Sequence, residues 1–229
     1  MSVKAKAAPA STPAAPAGAS ASSPAHPSYW DDAKRELMKC DRVLRRIIPK
    51  FDGVSLTSRG DPFVTLARSI TGQQISVAAA QAVWNRLSAA YPEFTPARLA
   101  RAKPDKLRAC GLSLRKAEYI LDLAAHFKQD GDRTVDWLAL EDEAVIGALT
   151  GIRGIGRWTA EMFLMFNLLR PNVFPVDDLG LRKAVSQHYF SGEKVTLSEL
   201  REVGENWVPW RSVGTWYMWR SLDPLPVEY

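Results

Sequence analysis

The sequence predicts an all-α protein of two helical subdomains, and three observations carry that prediction. Apolar residues recur at three- and four-residue spacing along most of the chain after residue 28. Strand-like runs such as FPV (174–176) and KVTL (194–197) are too short to build a sheet. Pro, Gly and Asp punctuate the periodic segments at short intervals, so many short helices are expected rather than a few long ones.

Taken in order, residues 1–28 are Ala, Pro and Ser with almost no large apolar side chain, which predicts a disordered tail that cannot offset its chain entropy by burial. Its prolines interrupt the alanines, so it does not read as a signal peptide. Helical periodicity follows in WDDAKRELMKCDRVLRRII (30–48), PFVTLARSITGQQISVAAAQAVWNRL (62–87), PARLARA (96–102), PDKLRAC (104–110), RKAEYILDLAAHF (115–127) and DEAVIGAL (142–149). Asp61 with Pro62 suits an N-cap followed by proline at the first helical position, and Gly111 and Gly131 suit helix ends.

Composition narrows the function classes. Of the 229 residues 46% are hydrophobic, enough for a proper core, and no run approaches the length of a membrane span. The net charge of +5 permits a polyanionic partner without demanding one. Cys40 and Cys110 are the only cysteines, so a disulfide framework and a four-cysteine zinc or iron–sulfur site are excluded within the chain. His26, His126 and His188 lack ligand spacing, so no transition metal is expected.

Two passages share a helix end, a glycine turn and a new amphipathic helix: LRACGLSLRKAEYIL (107–121) and LTGIRGIGRWTAEMFL (149–164). In the second, the GIG turn leaves the amides around Gly154, Gly156 and Thr159 placed to face an anion such as a DNA phosphate. A tight turn between helices with no ligand explains the same glycines. Trp158, Met162 and Met165 form an i, i+4, i+7 stripe that reads equally as core. Twenty residues after Trp158, VDDLGLRKAV places Asp177 and Asp178 ahead of a further helix, where one of the pair suits an N-cap.

Jointly these passages resemble the helix-hairpin-helix DNA glycosylases, whose hallmark is such a hairpin followed by a Gly/Pro-rich loop and an aspartate. The branch most similar is DNA-3-methyladenine glycosylase II, the bacterial alkylbase glycosylases, through DPFVTLARSITGQQISVAAA (61–80), LRACGLSLRKAEYI (107–120) and NWVPWRSVGTWYMW (206–219). The resemblance implies a central bundle over 61–168 that ends in the hairpin, a second subdomain from 29–60 with 169–229, and an active cleft between them. It assigns Asp178 as the catalytic carboxylate and leaves Asp177 as a cap or structural acceptor.

Trp158 stands where lyase members carry a Schiff-base lysine, so hydrolysis alone is expected, leaving an abasic site in an intact strand. Lys116 and Lys183 do not match that position. Trp158 and Trp219 match aromatics of the base pocket, Gln74 matches the side chain inserted into the duplex with Gln73 beside it, and Trp207, Trp210 and Arg211 read as structural. Carbonyls of Thr150, Ile152 and Ile155 match the family's site for Na⁺ or K⁺; no other cofactor and no iron–sulfur cluster is implied. Longer bacterial members carry an N-terminal β-rich domain that this sequence is expected to lack.

The expected partner is double-stranded DNA containing alkylated purines, acted on by a cytoplasmic monomer in base excision repair. Two other readings stay open at this point: a glycosylase for another damaged base, and a helix-hairpin-helix module that only grips DNA.

Overall fold

The computed structural model describes residues 27–129 and 136–222, and among these the chain is helical with no strand. The predicted tail up to residue 26, with His26, and the expected helix end at Gly131 lie outside the described residues. The all-α expectation is met.

The chain opens with α1 (Trp30–Cys40) and α2 (Arg42–Ile47). One periodic run becomes two helices because the Asp41 carboxylate accepts the amides of Val43 and Leu44 and so caps α2. Seven helices follow: α3 (Pro62–Gly72), α4 (Val77–Ala90), α5 (Pro96–Leu99), α6 (Pro104–Ala109), α7 (Leu114–Gln129), α8 (Asp142–Thr150) and α9 (Arg157–Phe166). The chain then returns with α10 (Leu179–Tyr189), α11 (Leu197–Glu205) and α12 (Arg211–Leu222).

Local signals set these boundaries. Asp61 caps α3 through the Val64 amide at 2.8 Å with Pro62 at the first helical position, as the sequence predicts. Gly111, just past α6, holds φ at +103°, the left-handed conformation that glycine adopts without a Cβ penalty. Thr196 and Glu199 form a capping box at α11.

Helices α4, α7 and α9 pack on α3, with α5 and α6 against α7 and α8 against α9. A second group joins α1, α2, α10, α11 and α12. Helix α12 is its centre, buried from Ser212 to Arg220 rather than along one stripe. Trp207 donates its indole N–H to Asp41 at 3.0 Å, and Tyr189 donates its hydroxyl to the same carboxylate oxygen at 2.7 Å. Trp210 stacks on Tyr29, and Arg211 Nε reaches Asn172 at 2.8 Å, so the WVPWR stretch is structural, as expected.

The groups meet where α9 ends. The Arg59 amide donates to the Phe166 carbonyl at 3.0 Å, and Phe166 stacks on Trp219 of α12 with ring centroids 5.9 Å apart. The segment from α9 to α10 is tied to α12 through Ser212, whose hydroxyl donates to the Arg170 carbonyl and accepts the Val173 amide. That tether fixes where the next acids stand.

Candidate active site between the two helical groups

A cleft of about 960 Å³ runs between the α3–α4 turn, the α8–α9 hairpin and the start of α10, lined among others by Gln73, Gln74, Gly154, Trp158, Asp177 and Asp178. The sequence places these residues in three separate passages. The fold brings them together.

Asp178 is only 5% exposed and is the N-cap of α10, accepting the Leu181 amide on Oδ1 at 2.6 Å. The expectation that Asp177 takes the capping role is corrected: Asp177 is exposed and Asp178 caps the helix. Two tryptophans complete the hold. Trp219 Nε1–H donates to Oδ1 at 2.7 Å and Trp158 Nε1–H donates to Oδ2 at 2.9 Å. Three N–H donors from three directions fix the plane of the carboxylate, and Oδ2, with one bond made, keeps acceptor capacity on the cleft side.

Trp158 is half-buried and lines the cleft, while Met162 and Met165 behind it are fully buried, so the stripe serves core and site together. Trp219 departs from expectation. It is 3% exposed, stacks on Phe166 and does not line the cleft, so it supports the carboxylate from behind rather than offering a face to a base. Gly180, not singled out from the sequence, explains how Trp219 comes so close: a Cβ there would stand 3.1 Å from Asp178 Oδ1 and 3.2 Å from Trp219 Cδ1.

Gln73 is likewise reassigned. Its Nε2 donates to the Gly154 carbonyl and to the Thr159 hydroxyl, each at 3.0 Å, which ties the α3–α4 turn to the hairpin instead of leaving an amide for DNA. Thr159, buried at 2%, therefore contributes its side chain to this bridge. Lys116 Nζ braces the same turn by donating to the carbonyls of Thr71 and Gln73, and burial holds its pKa below the ordinary lysine value. Gln74 is exposed at the tip of the turn with φ at +58°, beside the 41% exposed Ile75.

In the hairpin, Gly154 has φ at +89°, and a Cβ there would lie 2.2 Å from the Tyr119 ring, so only glycine fits. Gly156 begins α9 without a side-chain cap, leaving the first amides of that helix with no intrahelical partner. Arg157 pairs with Glu143 and with Glu161, a buried residue that sequence reasoning misses because a charged type on a helix ordinarily faces solvent. Burial pushes the Glu161 carboxyl up to about 7, opposed by Arg157.

Thr150 ends α8 and Ile152 and Ile155 sit in the turn, with the Ile152 carbonyl accepting the Ile155 amide at 3.1 Å. Cys40 and Cys110 stand apart, with Sγ atoms on the carbonyls of Asn206 and Lys106 respectively, and no group of three or more metal-ligating side chains occurs among the described residues.

Residues 67–209 match the family described as HhH-GPD superfamily base excision DNA repair protein. The chain belongs to that superfamily. Among relatives of this HhH-GPD protein, DNA-3-methyladenine glycosylase 1 of Schizosaccharomyces pombe is 31% identical over 70% of the chain and 72% of its own length. DNA-3-methyladenine glycosylase 2 of Escherichia coli is 32% identical over 77% of the chain and 63% of its own length. The solved structure of S. pombe 3-methyladenine DNA glycosylase in complex with abasic DNA superposes with a TM-score of 0.76 at 28% identity, covering 86% of this chain and 99% of that one. The two helical subdomains are thus the HhH-GPD fold. Among its described residues no helix is long and apolar enough to cross a membrane.

Proposed function

We propose that this HhH-GPD protein is a DNA glycosylase that hydrolyses the N-glycosidic bond of alkylated purines of the 3-methyladenine type in duplex DNA, leaving an abasic site for base excision repair. The observation that carries the reading is Asp178: a buried carboxylate, gripped by two indole N–H groups, on the wall of a cleft large enough for an extruded nucleotide. As the C1′–N bond breaks, its electron pair leaves with the base and positive charge develops on the deoxyribose. A carboxylate already fixed in place stabilises that charge without reorganising, and water then adds at C1′.

An alkylated purine carries positive charge before cleavage, and the Trp158 indole face on the cleft attracts a cation by about 0.5–2 kcal/mol where water is excluded. With tryptophan at the hairpin position and the Lys116 amine bonded to the carbonyls of Thr71 and Gln73, the reading includes no strand cleavage. Gln74, at the exposed tip, is the side chain assigned to the space left by the flipped nucleotide. The start of α9, with Gly156 as its N-cap, receives a phosphate.

The carbonyls of Thr150, Ile152 and Ile155 suit a monovalent cation, because they are neutral oxygen donors at and beyond the negative end of α8, and Ile152 retains a lone pair after accepting the Ile155 amide. A Na⁺ or K⁺ held by these carbonyls would supply positive charge toward a DNA phosphate. The protein acts as a cytoplasmic monomer.

The test is to incubate the protein with methylated genomic DNA and identify the free bases. Release of 3-methyladenine with strands that break only after alkali or heat supports the reading; release of no base from alkylated DNA overturns it.

A further inference from the structure

A second concavity, of about 820 Å³, lies along α4, α5 and α6 and shares no lining residue with the cleft. Five cations line it, Arg86, Arg98, Arg101, Lys103 and Lys106, against the single acid Glu93. Several arginines elsewhere are matched with acids, among them Arg108 with Asp105, Arg153 with Glu118 and Asp122, and Arg157 with Glu143 and Glu161. None of the five joins an ion pair among the described residues. Like charges gathered in one concavity repel, so fold stability gives no reason for the arrangement, whereas an anion does.

Two details show that the wall is shaped. Arg86 Nε donates to the Cys110 carbonyl at 2.7 Å, fixing its guanidinium beside the α6–α7 turn. Tyr91 lines the concavity, and its hydroxyl has no hydrogen-bond partner among the described residues.

Its position relative to the cleft follows from the helices that join them. Helix α4 begins beside Ser76, which lines the cleft, and ends at Ala90, which lines the concavity, a run of 14 residues. At 1.5 Å per residue that separation is roughly 20 Å. The α6–α7 turn bridges the same gap, since Lys116 in the first turn of α7 holds the Gln73 carbonyl and Cys110 lines the concavity. Duplex DNA carries one phosphate per strand for about every 3.4 Å of axis, so a duplex running along α4 would pass about six base pairs over 20 Å.

We infer that the basic concavity between α4, α5 and α6 is a second binding site for the backbone phosphates of the same duplex, about six base pairs from the nucleotide in the cleft. The inference rests on the proposed action on DNA. It adds a reach along the flank that the cleft and hairpin do not supply.

The test uses the full chain and two duplexes with a central abasic-site analogue, one with flanks of about four base pairs and one with about twelve on each side, compared by Kd across a salt series. The triple variant Arg98→Ala, Arg101→Ala, Lys103→Ala, all on the rim of the concavity, is expected to lower the salt slope by up to about 2.7 on the long duplex, since each phosphate no longer neutralised removes close to 0.9. On the short duplex it should match the wild type, and its rate of base release at saturating protein should be unchanged. Lys106→Gln with Arg98→Gln repeats the test at a partly different set of positions. An unchanged slope on the long duplex, or an equal loss on both duplexes, overturns the inference. Base release by the wild type in the same preparations reports on the glycosylase reading separately: a protein that releases bases but shows no flank-dependent slope refutes the second phosphate site alone.

Discussion

Trp158 and Asp178, 20 residues apart in sequence, are joined by a 2.9 Å hydrogen bond from the indole Nε1–H of the hairpin helix to the carboxylate that begins α10. The bond crosses from one helical group to the other, so the hairpin does more than face the DNA: it helps aim the carboxylate. Trp158→Phe keeps an aromatic face in the cleft and removes only the donor. Single-turnover base release should fall by about 10- to 100-fold, matching the ~1.5–3 kcal/mol of a hydrogen bond to a charged group, with thermal stability little changed.

Gly180→Ala tests the close approach of Trp219 to Asp178. The added Cβ would stand 3.1–3.3 Å from the carboxylate and the indole, so one of them must shift. Base release is expected to drop about tenfold or more, with a stability cost of order 1 kcal/mol measured by urea unfolding.

The adjacent glutamines should behave differently. Gln73→Ala removes the bridge to Gly154 and Thr159 and should lower stability by about 1–3 kcal/mol, because a buried hydroxyl and a carbonyl lose their donor. Gln74→Gly relieves a left-handed backbone at φ +58°, so the melting temperature should hold or rise slightly while affinity for a lesion duplex falls. Thermal melts and duplex binding on the same samples separate the two.

Glu161 predicts a pH dependence of stability. Its carboxyl is raised from the ordinary 4.5 to about 7 in the folded protein, so between those values the folded state binds the extra proton. The contribution is present below about pH 4.5 and is lost as pH rises through 7. Glu161→Gln cannot ionise, so it should gain on the wild type by about 2 kcal/mol in unfolding free energy between pH 5 and pH 8. Parallel pH profiles for the two proteins would contradict the burial argument.

What the sequence made legible follows from how local each signal is. The Asp61–Pro62 start, the Gly111 helix end and the GIG hairpin are written within a few residues, and each stands where the sequence places it. The carboxylate's setting is not local: Trp219 lies 41 residues from Asp178, and Gln73 lies 81 from the Gly154 carbonyl it binds. Residue type identifies Trp219 as important, but only the stack on Phe166 turns its N–H rather than its face toward the site. Asp177 and Asp178 are equivalent as neighbouring acids in the sequence, and the Ser212 tether upstream of them belongs to a helix more than 30 residues further on.

The most direct measurement of the central claim is single-turnover base release from alkylated duplex DNA by Asp178→Asn. Asparagine is itself a strong N-cap, so α10 should keep its start and the protein its fold. Release is expected to fall by at least about a thousandfold, the scale of losing preorganised stabilisation of transition-state charge, while affinity for an abasic duplex stays near that of the wild type. Release within a few-fold of the wild type would contradict the assignment of Asp178 as the catalytic carboxylate.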